Sequence, residues 1–334
     1  MNRVHIIWND LAKANSPSLL KKLYSADLSQ YIYCIYEMHE KYCGIAISYS
    51  AKLEVNISQL NRLKDVSVYI QSDTSFEDSN LLIIKLSKSE LLEIFAILCE
   101  NLISAVSSIT DQKRVIKKVL EQLEKWKALF DSFNSNGLSA AEQQGLYGEL
   151  FLLRKFLNRG FPHHTTLSCW VGVDRALRDF QYRGWALEVK TTVTNNHQRL
   201  SISSERQLDE NLLDYLYLYH LSVETSDGNG ESLNQIITEI SELINSDFVT
   251  FNLFNQKLME VGYFEKDKGI YNNRHYKTRN ENFYKIEGDF PRIKESELRD
   301  GIGDVKYSVI IDNCNEYLIP ENTVFNTVNI YARD

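Results

Sequence analysis

The twelve residues Asp179 to Lys190, DFQYRGWALEVK, constrain this 334-residue chain more than any other stretch. They read as two short strands joined by a tight turn at Arg183-Gly184. On a strand, successive side chains point to opposite faces. Trp185, Leu187 and Val189 therefore share a buried face, and Ala186, Glu188 and Lys190 share the other. An acid and a lysine side by side, behind a hairpin that opens with Asp179, can build a divalent-metal site. Carboxylate oxygens suit Mg²⁺, which keeps some of its waters and holds phosphate oxygens. The lysine can orient or polarise an attacking water and offset charge growing on phosphorus.

The flanks fit around that hairpin. Ser139 and Glu142 form a capping box for a helix that Gly160 stops. Leu146, Leu150, Leu153 and Leu157 make a seam for packing on a sheet, with Glu149 at its border. A glycine inside a helix costs about 1 kcal/mol relative to alanine, so Gly145 and Gly148 together imply a packing or site requirement. Thr165–Val173 has strand composition, LSIS (200–203) follows the hairpin, and Ser204 with Gln207 spells an S-x-x-Q cap for a second helix. The aromatic run 214–224 closes the series as a strand. Glu149 is either a site acid or a surface partner of Arg154 or Lys155. Gln207 is a cap, a group facing phosphate, or both at once if the helix start faces phosphate.

The combination GL-x-GEL…DF…LEVKTT…ISS-x-x-QLD, built around D-x8-E-V-K, resembles the PD-(D/E)XK nuclease superfamily. In particular it is similar to PD-(D/E)XK proteins encoded in bacterial phage-defence clusters, over at least residues 139–215. One departure is Arg178, which stands where the motif has proline. The resemblance implies an α/β protein, α+β in its mixed sheet, with a restriction-endonuclease-like αβββαβ core. It implies a Mg²⁺-dependent deoxyribonuclease, with Mn²⁺ as an alternative ion. Asp179, Glu188 and the Val189 carbonyl would hold the ion and Glu149 would support it or its waters. Lys190 would act as base or electrostatic clamp, and Gln207 would contact Lys190 or phosphate. Implied partners are DNA, an ATPase or other defence-system subunits, and a second copy in a homodimer. A binding or scaffolding subunit with the same fold but no reaction, and an enzyme of another type with a fortuitous ExK, are the competing readings.

Around the core at 134–225, the sequence divides into an N-terminal α/β domain (1–110), a connecting helix (111–133) and a C-terminal α/β extension (226–334). The first has strands at 31–37, 42–49, 66–71 and 81–86, then a helix through 91–106 capped by Ser87 and Glu90. The second follows the spacing Val115/Ile116, Val119, Leu123, Trp126, Phe130 and ends at Asn134–Gly137. The extension has helices at 233–244 and 248–261 and strands at 305–312 and 324–332. Its basic-aromatic stretch from Gly269 to Ile293 suits phosphate contacts and base stacking, or an exposed hairpin. His163-His164 reads as a loop, and His39 with Glu37 and Glu40 as a solvated turn rather than a metal cluster.

The formal charge of −8 runs against DNA binding, but its distribution matters more than its sum. Residues 151–207 hold nine Lys/Arg and four acids, a local excess of +5. Five scattered cysteines without a CxxC pair point to a reduced, cytoplasmic setting. The polar start and the absence of a long apolar run exclude a signal peptide and a membrane span at this level.

Overall fold

The computed structural model describes residues 3–14, 19–38, 42–57, 65–87, 91–132, 137–174, 176–193 and 198–332. The chain forms two compact units, Met1–Ser135 and Asn136–Asp334.

The first unit contains α1 (Arg3–Ala12), β1 (Leu20–Leu23), β2 (Ile32–Glu37), β3 (Tyr42–Ser50), β4 (Val66–Ser72), β5 (Ser79–Leu86), α2 (Leu92–Val106) and α3 (Gln112–Ser132). Its five strands pair antiparallel in the order β1-β2-β3-β5-β4. Helix α1 is amphipathic because Val4, Ile7, Trp8 and Leu11 fall on one face. It is pinned by Trp8 Nε1 donating to the Gly44 carbonyl at 2.9 Å. The helix expected to link two domains is α3, and it belongs to this unit. His39, Glu40, Glu90 and the break at 134–136 lie outside the described residues.

The second unit contains α4 (Ala140–Asn158), α5 (His163–Cys169), β6 (Phe180–Tyr182), β7 (Trp185–Thr192), β8 (Arg199–Ile202), β9 (Tyr215–Ser226), β10 (Glu231–Ser232), α6 (Leu233–Ile244), α7 (Phe248–Glu260), α8 (Lys268–Tyr271), β11 (His275–Lys285), β12 (Tyr307–Ile310), β13 (Leu318–Ile319) and α9 (Glu321–Ala332). Strands β10-β11-β9-β7-β6 form one sheet, with β13 also on β11. The β7–β9 pair is parallel and the others are antiparallel. Strand β8 pairs with β12 in a separate two-stranded ribbon.

Side-chain alternation on β7 sorts as expected. Trp185, Leu187 and Val189 join the core beneath the helices. Ala186 joins a second cluster with Leu200, Ile202, Leu216, Leu218 and Val309, on the side of the ribbon. Both faces are thus covered, which explains why β7 and β9 read as nearly continuous apolar runs.

Several expectations give way here. Residues 165–173 form no strand: α5 ends at Cys169, and Trp170 alone makes a bridge, to Phe180. The hydroxyls of Thr166 and Ser168 bond back to the carbonyls of Pro162 and His164, each at 2.8 Å, so these strand-favouring residues are satisfied in a helix. His163 and His164 begin that helix rather than a loop. The helix expected after Ser204 is a four-residue 3-10 turn, Glu205–Leu208. Residues 324–332 are helical, because Val324, Phe325 and Val328 share one buried face behind Pro320. The region from Gly269 holds the inner strand β11 instead of an exposed hairpin, and Tyr271 and Tyr276 are wholly buried, which removes them from base stacking. Because β11 pairs with β9, the boundary expected at 225/226 falls inside one sheet.

Candidate active site

Helix α4 begins with the capping box: the Glu142 amide donates to Ser139 Oγ at 3.3 Å, and the Ser139 amide to Glu142 Oε2 at 2.8 Å. It lies directly on β7 at Gly148, where a Cβ would stand 1.8 Å from Thr191 Oγ1. A Cβ on Gly145 would meet nothing within 4 Å, so only one of the two glycines answers a packing requirement. That close approach brings Glu149 to the sheet. Its Oε2 accepts from Trp170 Nε1 at 2.7 Å, while Arg154 pairs with Glu231 and Glu239, and Lys155 with Glu281 and Glu321. Glu149 is therefore not the surface partner of either cation.

Asp179 enters β6 with its carbonyl accepting from the Val171 and Gly172 amides, at 2.8 and 2.9 Å. Its Oδ2 accepts from the Val189 amide at 2.7 Å. Val189 thus meets Asp179 through its N–H; its carbonyl was the expected ion ligand. Asp179 Oδ1 and Glu149 Oε2 stand 2.8 and 3.3 Å from the point a Cβ on Gly172 would occupy, so the missing side chain leaves room for both acids.

Glu188 is 1% exposed. Its Oε1 accepts from Lys190 Nζ at 2.8 Å and from Gln207 Nε2 at 2.7 Å, and its Oε2 is buried without a partner. Gln207 does two things: its Nε2 faces Glu188 rather than Lys190, and its Oε1 accepts from the Ser203 amide, one residue before the expected cap position, while Ser204 Oγ accepts from the Arg206 amide. Arg178, where proline was missing, is buried and holds this turn from below. Its guanidinium donates to the carbonyls of Arg206 and Gln207, each at 3.1 Å, and to that of Asp209.

Charge is crowded here. Burial lifts the Asp179 carboxyl to about 6 despite the Val189 N–H and Lys190. Burial and then the Asp179 charge lift Glu188 to about 8, against Lys190 and Arg178. Burial and Asp179 also push Glu149 well above the usual carboxylate range. For Lys190, burial pulls its pKa down, but Glu188, Asp179 and Glu149 outweigh it and raise the pKa, so the side chain stays an ammonium.

The residues fit a divalent ion in one respect above all: an orphaned carboxylate oxygen, buried among three acids whose pKa values burial and mutual repulsion raise, is what a cation would satisfy. Among the described residues, no three His, Cys, Asp or Glu side chains form a ready-made metal cage. The fit is to an ion that keeps several waters and takes few protein oxygens.

Sequence reasoning missed Trp170, Gly172 and the role of Arg178. The first two sit in Trp-Val-Gly, nine and seven residues ahead of Asp179, a pattern that strand composition concealed. The local positive excess is also smaller than its count. Arg154, Lys155, Arg159 and Arg206 pair with acids at 231, 239, 281, 321 and 295, outside the window. Among the described residues no helix is long and apolar enough to cross a membrane.

No curated protein and no solved structure matches this chain. A family model described as "Putative PD-(D/E)XK family member, (DUF4420)" matches residues 4–312, across both units. The mixed α/β fold agrees with that nuclease-like class, and the chain belongs to this PD-(D/E)XK family.

Proposed function

We propose that the protein is a divalent-metal-dependent endonuclease that hydrolyses DNA phosphodiester bonds, in defence against foreign DNA. The observation that carries this reading is Glu188, whose Oε1 is shared by Lys190 and Gln207 while Oε2 lies buried and unpartnered beside Asp179. Asp179 and Glu188 would hold Mg²⁺ or Mn²⁺, with Glu149 and the Val189 carbonyl in support, and the ion would supply Lewis-acid polarisation of a phosphate oxygen and a bound water. Lys190, kept as an ammonium, offsets the negative charge that grows on the phosphoryl oxygens and orients the attacking water. Gln207 fixes the rotamer of Glu188, and Arg178 fixes Gln207 by holding its turn. In the reaction, a water oxygen bonds to phosphorus, the bridging P–O bond breaks, one water proton ends on the leaving oxygen, and the other stays on the new phosphate monoester or passes to solvent.

The test is incubation with plasmid, linear and single-stranded DNA in Mg²⁺, Mn²⁺ or EDTA, alongside Asp179→Ala and Lys190→Ala. Cleavage that both substitutions and EDTA abolish supports the reading. Cleavage surviving either substitution overturns it.

The formal charge of −8, and the pairing of four window cations with distant acids, favour a second arrangement in which a partner such as an ATPase delivers DNA. The mark of that arrangement is DNA bound by the assembled complex but not by this chain alone.

A further inference from the structure

Three features of the segment Trp170-Val171-Gly172 converge on the two acids that come from different elements. The Trp170 indole N–H donates to Glu149 Oε2 at 2.7 Å, reaching α4. The next two amides, of Val171 and Gly172, both donate to the Asp179 carbonyl, at the mouth of β6. Gly172 presents no side chain where Asp179 Oδ1 and Glu149 Oε2 come closest. Trp170 is itself held. It is wholly buried, its ring packs 6.2 Å from that of Phe254, and its carbonyl accepts from Lys257 Nζ at 2.6 Å. Lys257 belongs to α7 and is only 4% exposed. A buried ammonium costs several kcal/mol in desolvation unless it is well bonded, and a methionine would fill the same space.

We infer that Trp170–Gly172, anchored from α7 by Lys257, is a brace that sets the separation of the Glu149 and Asp179 carboxylates for ion binding. Trp170 and Lys257 act as positioning residues, and the inference rests on the metal-dependent reading above. Groups that orient metal-ligating carboxylates typically contribute 10–100-fold in metal affinity.

Trp170→Phe keeps a ring against Phe254 and deletes the N–H. Its Mn²⁺ affinity, measured by calorimetry on the full chain without DNA, should fall on the order of tenfold. The Mg²⁺-induced rise in Tm, taken relative to each variant's own Tm in EDTA, should shrink in parallel. Lys257→Met, one step further back, should weaken Mn²⁺ binding in the same direction by a smaller factor. If both variants bind Mn²⁺ as the native chain does, the brace is wrong and the metal site stands. If the native chain binds neither ion, the metal-dependent reading fails and the brace falls with it.

Discussion

At the scale of single residues, the site is a compromise between burial and repulsion. Asp179→Asn keeps an acceptor for the Val189 amide and removes one of three crowded carboxyl groups, the one whose charge raises the pKa of the other two. It should abolish cleavage and raise stability in EDTA by about 1 kcal/mol, the usual sign where a functional site is strained. Chemical denaturation in EDTA checks this; a loss of stability would show that the acids do not repel one another. A second buried group titrates away from the acids. His220 is 1% exposed, its Nε2 lies 2.8 Å from Thr192 Oγ1, and burial pulls its pKa down to about 4, with Asp312 opposing. Between pH 6.5 and about 4 the unfolded chain takes up a proton that the folded chain refuses. Its contribution is therefore intact above pH 6.5 and is lost as pH falls through that window, by up to about 3 kcal/mol. His220→Gln should lose less stability between pH 7 and pH 5 than the native chain, in guanidinium titrations at the two values.

At the scale of elements, α4 offers a paired test because its two glycines sit in opposite surroundings. Gly148→Ala would drive a methyl into Thr191 and should cost about 1–3 kcal/mol and displace Glu149 from the sheet. Gly145→Ala meets open space and should stabilise the helix by about 0.5–1 kcal/mol. Thermal melts of the two variants should shift in opposite directions. The same helix shows what the sequence could say. Its capping box, leucine seam and Gly160 stop are local signals, and they stand in the structure where expected. Strands β2, β3, β4, β5, β7 and β9 were equally legible from composition and alternation. The losses occurred where tertiary partners decide. Thr165–Cys169 and Val324–Ala332 are rich in strand formers but are helical, the first through hydroxyls bonded to backbone, the second through an apolar face of helical period. Helix α1 was missed: the spacing Val4, Ile7, Trp8, Leu11 is helical, but the stretch was read only as a polar start. In the site, the structure draws Asp179, Glu188, Lys190, Glu149 and Gln207 into one neighbourhood. Trp170 and Arg178 escaped notice because each acts through a partner far away in sequence: Glu149 for one, a row of carbonyls for the other.

At the scale of the whole molecule, two consequences follow from how distant segments meet. The inner position of β11 makes residues 226–334 part of the core sheet. A fragment of residues 134–225 should expose the long apolar edge of β9 and aggregate, whereas 136–334 should stay folded, as size-exclusion and circular dichroism would show. Folding also dissolves the positive window seen in the sequence, since four of its nine cations face acids from elsewhere in the same unit. The isolated chain should bind duplex DNA with a Kd of about 100 µM or weaker at physiological salt, the feeble end of non-specific binding. Fluorescence anisotropy would measure it, and micromolar affinity would remove the need for a delivering partner. Finally, β7 and β9 run parallel, and parallel neighbours cannot be joined by a tight hairpin; the chain must loop over the sheet to return. That return path, residues 193–214, carries β8, the ribbon contact and Gln207. Topology and chemistry are written on one loop, so a deletion that removes its Glu205–Leu208 turn also unties Glu188.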